Sequence, residues 1–137
     1  RLMANKKELK DYYYSPESAY EQSGGQLIHQ EDKEFMDSVT AIIKENLAQD
    51  TLRPELIADK LGMNTRALYR RFKKISPLTP RDFIKDYRMM HAARLLVTTN
   101  LSVQEIIYQV GISNKSYFYR EFSAKYGVTP GEYRRMQ

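Results

Sequence analysis

Residues 52–83 of the chain are built a second time at residues 101–133, and this internal repeat narrows the possible folds more than any other feature. Placing LRPELIADKLGMN (52–64) over LSVQEIIYQVGIS (101–113) matches Leu52 with Leu101, Ile57 with Ile106, Leu61 with Val110, Gly62 with Gly111 and Asn64 with Ser113, at an offset of 49. One extra residue then enters the second copy. After it Leu68 meets Phe118, Phe72 meets Phe122, Thr79-Pro80 meets Thr129-Pro130 and Phe83 meets Tyr133, at an offset of 50. Each copy places apolar residues at helical spacing on both sides of a central glycine, the pattern of helix, turn and helix. One copy is a weak signal; two in register predict an all-α chain with two helix-turn-helix subdomains.

Local signals fill in the remaining elements. From Glu31 onward Phe35, Val39, Ile42, Ile43 and Leu47 recur at helical spacing, with Glu and Asp in the first turn, where the helix dipole favours them. Pro54 suits the first turn of the helix PELIADKL, and Asn64 is placed to cap TRALYRRFKKI, which Pro77 ends. A long helix is predicted over about 80–98, apolar on more than one side and therefore buried on more than one face. Ser102 and Glu105 form a capping-box pattern for SVQEIIYQV, and Thr129-Pro130 opens a short last helix, making about seven helices in all. Residues 1–30 read as a connector, with a short helix near LMANKKELKDYYY and a polar linker over 15–30. The opening arginine, with no initiator methionine, points to a fragment of a longer protein. Residues 31–137 form the folded domain, with the first helix-turn-helix at about 52–76, the linking helix at about 80–98 and the second unit at about 101–127.

Charge is informative once it is divided. The chain carries a net +5. Residues 51–137 hold sixteen cations against seven acids, a net +9, while residues 31–50 sum to −4 and residues 1–30 to zero. A basic excess confined to the repeated region points to a polyanionic partner. Cysteine is absent, and His29 and His91 have no second histidine or acidic cluster at ligand spacing, so no metal, cofactor or catalytic residue is expected. No run reaches the length of a membrane span and no secretory signal opens the chain, so a cytoplasmic address without membrane contact is expected.

In TRALYRRFKKI the pair Leu68 and Phe72, one turn apart, must face the core. The opposite face then shows Arg66, Tyr69, Arg70 and Lys73. Residues 64–75 hold five cations and no acid. Such a face is either merely solvated or a groove-reading surface, and its position after a helix-turn-helix glycine favours the second. Phe118 and Phe122 are the matching core pair in the second copy.

The segments LIADKLGMNTRALYRRFKK, FIKDYRMMHAARLL and above all IIYQVGISNKSYFYREFSAKYGVTPGEYR resemble the AraC/XylS family of bacterial transcription activators, over roughly residues 32–135. The upstream ANKKELKDYYY with its polar linker is similar to the join between a receiver and such a domain in hybrid two-component regulators. The resemblance implies a DNA-binding output domain with two recognition helices in successive major grooves of promoter or operator DNA. It places base contacts on Arg66, Tyr69, Arg70, Lys115, Ser116, Tyr119 and Arg120, and backbone contacts on Thr65, Lys73, Lys74 and Asn114. Tyr117 sits at the boundary, its ring packing and its hydroxyl within reach of a phosphate. RNA polymerase and an upstream receiver or sensor domain are the implied partners; if the whole protein is a hybrid sensor, membrane tethering enters through that upstream part. The chain departs from the family pattern in several places. Arg53 stands where Ser usually caps the first helix, Ser76-Pro77 replaces Thr-Gly, Ile107 and Ile112 replace Ala and Phe, and Met90 and His91 occupy positions that are commonly cationic.

Two rival readings compete with this one. A helical module binding an acidic protein would use the same basic faces, and its affinity would be indifferent to DNA sequence. A nucleic-acid enzyme requires a carboxylate pair or metal constellation beside the basic helices, and the sequence shows none.

Overall fold

The computed structural model describes residues 30–137; the connector and short helix anticipated upstream lie outside the described residues. The described residues form seven α-helices and no strand: α1 (Gln30–Glu45), α2 (Pro54–Lys60), α3 (Thr65–Ile75), α4 (Pro80–Thr98), α5 (Val103–Gln109), α6 (Lys115–Tyr126) and α7 (Pro130–Arg135). They divide into two compact units. The first contains α1, α2, α3 and the opening of α4 to Ile84; the second contains residues 46–51, α4 from Lys85, and α5 to α7.

In the first unit the sequence patterns act as anticipated. Glu31 and Asp32 fill the first turn of α1 while Phe35, Met36, Val39, Ile42 and Ile43 face inward. Arg53 sits at the N-cap of α2 without any side-chain cap bond, and Pro54 occupies the first turn. Asn64 Oδ1 accepts from the Ala67 N–H at 2.8 Å and starts α3. After Ile75 the chain leaves helical geometry at Ser76, whose Oγ accepts from the Leu78 N–H at 3.0 Å and holds the bend before Pro80. Phe72 is fully buried, with Phe35 edge-on at 6.1 Å and Phe83 edge-on at 5.5 Å between ring centroids. Burial of that one side chain is worth about 1.5–3 kcal/mol.

The second unit repeats this plan with stronger local signals. Ser102 Oγ accepts from the Glu105 N–H at 3.1 Å while Glu105 Oε1 accepts from the Ser102 N–H at 2.8 Å, the capping box read from the sequence. Thr129 and Glu132 form a second box at 3.1 and 2.9 Å, which the Thr-Pro signal alone did not announce. Phe118 and Phe122 are fully buried among Met89, Ala92, Leu96, Ile106 and Val110. Tyr133 meets Phe122 edge-on at 5.6 Å, as Phe83 meets Phe72 in the first unit. Ile107, one of the departures noted above, lies in this same cluster, and Ile112, another, packs against it partly buried.

The structure corrects one detail of the repeat. The N-cap of α6 is Asn114, not Ser113, and its Oδ1 accepts from the Tyr117 N–H at 2.9 Å. Asn64 therefore corresponds to Asn114, and the extra residue of the second copy enters between Gly111 and the cap. Offset matching placed it after the cap because Ser113 is itself an acceptable capping residue.

Both capping glutamates give the second unit an acid-sensitive element. The backbone N–H of the N-cap residue, and after it the N-cap hydroxyl, hold the Glu105 and Glu132 carboxyls below the ordinary carboxylate value. A depressed folded-state pKa contributes stability that is present above the unfolded-state value and is lost as pH falls through the folded-state one. The melting temperature of the wild-type chain is expected to exceed that of the Glu105→Gln/Glu132→Gln variant at neutral pH, with the gap closing in acid. A gap that does not change with pH contradicts this reading.

Candidate nucleic-acid interface

The α3 helix buries Leu68, Phe72 and Ile75 and turns its other side outward. Arg66, Tyr69, Arg70, Lys73 and Lys74 are exposed along that side, at spacings that place them on one face, and Thr65 is half-buried at its start. None of Arg66, Arg70, Lys73 and Lys74 has a carboxylate partner among the described residues. Arg70 and Lys74 do share a groove with Glu31, Asp32 and Glu34 of α1, so acids stand across from this face.

Arg71, the fifth cation of the stretch, behaves differently. Its guanidinium lies 4.3 Å from the Phe35 ring centroid and reaches the Glu31 carbonyl at 3.4 Å and Asp32 Oδ1 at 3.8 Å. Those contacts tie α3 to α1, so Arg71 serves the packing of the unit. Its position one residue beyond Arg70, on the flank of the apolar face, is why the helical spacing leaves it out of the outward set.

In the second unit Lys115, Ser116 and Arg120 are exposed, and Asn114 is exposed while its Oδ1 caps α6. Tyr119 is only half-exposed. Its ring packs on the unit's core with Phe118 edge-on at 6.0 Å, and Lys115 Nζ lies 6.0 Å from its centroid. Tyr117 is half-buried beneath Arg120, whose Cζ lies 5.4 Å from its ring centroid. Burial lowers the Arg88 pKa, and Tyr117 opposes part of that effect. Arg88 is the mainstay of the turn region: its Nη2 donates to the carbonyls of Leu47 at 3.3 Å and Gln49 at 3.0 Å.

Two buried or tethered arginines, Arg88 and Arg134, thus belong to the scaffold although sequence counts them in the basic excess. Arg134 donates from Nε to the Leu96 carbonyl at 2.9 Å and from Nη2 to those of Thr99 at 3.3 Å and Leu101 at 2.7 Å. Among the described residues α3 exposes four cations, Arg66, Arg70, Lys73 and Lys74, and α6 three, Lys115, Arg120 and Lys125. Among the described residues no group of histidine, cysteine or acidic side chains is arranged to hold a metal, and no helix is long and apolar enough to cross a membrane.

A second helix with a cationic outward face, following a glycine turn and capped by asparagine, is the reading element of a helix-turn-helix DNA-binding domain, and here it occurs twice. The comparisons agree. A family described as "Helix-turn-helix domain" matches residues 57–136. The chain belongs to this family, in its AraC type, a class of DNA-binding domain found in transcription regulators. Among solved structures it is similar to the C-terminal domain of the two-component response regulator YesN from Fusobacterium nucleatum, at 31% identity and a TM-score of 0.66, covering 72% of this chain and 96% of that one. Histidine kinase P4 of Formosa agariphila is 29% identical over 102 residues, 74% of this chain and 7% of the relative. The bifunctional transcriptional activator/DNA repair enzyme AdaA of Bacillus subtilis is 34% identical over 105 residues, 77% of this chain and 49% of the relative. The chain therefore spans less than half the length of either curated relative.

Proposed function

We propose that this chain reads a bipartite double-stranded DNA site as the output domain of a bacterial two-component regulator, with α3 and α6 entering successive major grooves. The observation that carries the reading is the outward face of α3, where Arg66, Arg70, Lys73 and Lys74 flank Tyr69 with no carboxylate partner among the described residues. Arginine presents a planar fork that matches the guanine edge, whereas lysine is a compact charge suited to phosphate. Base reading in the first unit accordingly falls to Arg66, Tyr69 and Arg70, with Lys73, Lys74 and Thr65 on the backbone. In the second unit it falls to Lys115, Ser116 and Arg120, with Tyr119 contributing its exposed edge, and Asn114 and Tyr117 lie toward the backbone.

The names of the response regulator and histidine kinase relatives support an upstream receiver or sensor that supplies the signal, and the reading takes RNA polymerase as the downstream partner of a transcription activator. The reading assigns no chemical step to this chain, and it works where the regulator meets DNA, in the cytoplasm.

Arg70→Ala is expected to cost about 1–3 kcal/mol on a duplex selected by the wild-type chain and to relax base choice at one position, while Lys74→Ala weakens every sequence alike. Fluorescence-anisotropy titrations with selected and scrambled duplexes at fixed salt make the comparison. Equal losses on both duplexes for Arg70→Ala would contradict its role.

A further inference from the structure

We propose that Glu121 is a positioning residue for Arg120: it holds the Arg120 guanidinium by Nε so that the terminal fork faces the base edge, and so governs discrimination by α6. The inference rests on α6 being a recognition helix. An acid beside a groove-reading arginine repels phosphate, so its presence calls for a compensating role.

The geometry supplies one. Glu121 is only 22% exposed at its side chain and uses both carboxylate oxygens. Oε1 pairs with Lys85 Nζ at 3.2 Å, anchoring the carboxylate to α4, and Oε2 faces Arg120 Nε at 3.5 Å. Neighbouring residues on a helix do not ordinarily face one another. The Arg120 side chain, 67% exposed, is therefore laid back across its neighbour, over the Tyr117 ring at 5.4 Å. Engaging Nε leaves the two terminal nitrogens of the guanidinium free as a fork, the arrangement that pairs with guanine O6 and N7.

The first unit lacks this device. At the matching position stands Arg71, likewise tied to an adjacent helix through Asp32 at 3.8 Å, but a cation cannot hold Arg70. Arg120 is held before it meets DNA and Arg70 is not, so the base read by Arg120 depends on a residue that touches no base.

The test separates reach from charge. Duplexes selected from random DNA by the wild-type chain are the probe, and Arg120→Ala identifies the base position that Arg120 reads. Glu121→Asp keeps the charge but withdraws the carboxylate, and is expected to lower discrimination at that position about tenfold while leaving the salt dependence of binding unchanged. Glu121→Gln keeps the reach and drops the charge, and is expected to hold discrimination within about threefold while binding random duplex more tightly. Circular dichroism melts establish that each variant is folded. Retained discrimination in Glu121→Asp, or equal loss in both variants, overturns the proposal. If Arg120→Ala leaves base preference intact at every position, it is the recognition-helix reading of α6 that fails.

Discussion

Gly111→Ala is expected to destabilise the second unit by about 3–5 kcal/mol, whereas Gly62→Ala at the matching position of the first unit costs about 1–2 kcal/mol. Both glycines adopt left-handed backbone geometry, with φ of 78° and 70°, and share the strain that any side chain meets there. Only Gly111 is crowded. A Cβ on it would collide with the Leu47 carbonyl oxygen and would lie 3.0 Å from Arg88 Nη2 and 3.2 Å from the Ala48 carbonyl carbon, while a Cβ on Gly62 meets nothing within 4 Å. The obstacle at Gly111 is backbone, and Arg88 is held in place by the Leu47 and Gln49 carbonyls. Denaturant titrations of the two variants measure the difference directly; equal losses would mean that the close approach carries no energy.

Arg134→Ala is expected to cost about 2–4 kcal/mol, because a charged donor leaves carbonyls that its removal exposes or orphans. The α4 helix has no cation in its last turn, so its C-terminal carbonyls lack the usual complement to the helix dipole. Arg134, arriving from α7, supplies it through its contacts with Leu96, Thr99 and Leu101. Arg134→Lys keeps the charge but not the fork, and should recover only part of the loss. Hydrogen exchange should quicken first at the end of α4. A loss below about 0.5 kcal/mol would place Arg134 among ordinary surface residues.

The elements themselves were legible because their signals are local. Leu68 with Phe72 and Phe118 with Phe122 are spaced by one turn, and each pair proved fully buried. Ser102 and Glu105 declare a capping box within four residues. What the sequence concealed depends on partners distant along the chain. Arg70 and Arg71 are adjacent and chemically identical, yet only Arg71 meets an acid and an aromatic ring on α1, about forty residues earlier. Arg88 and Arg134 are likewise fixed by carbonyls some 33–41 residues away. The charge excess of the repeated region is therefore larger than the part of it that faces outward. Tyr119 shows the converse: helical phase turns it outward, while the bulk of Phe118 beside it draws its ring partly into the core. The cap at Asn114 was hidden because Ser113 and Asn114 are both competent capping residues, and only backbone geometry chooses between them.

The central claim is that the chain reads DNA sequence through α3 and α6. Its most direct test is competitive binding of a duplex selected from random DNA against a scrambled duplex of the same length and composition, at physiological salt. The selected duplex is predicted to bind about 10³-fold or more tightly, with Arg66, Arg70 and Arg120 each needed for that ratio. Equal affinity for the two duplexes, with the same dependence on salt, would contradict sequence reading and leave only a basic surface.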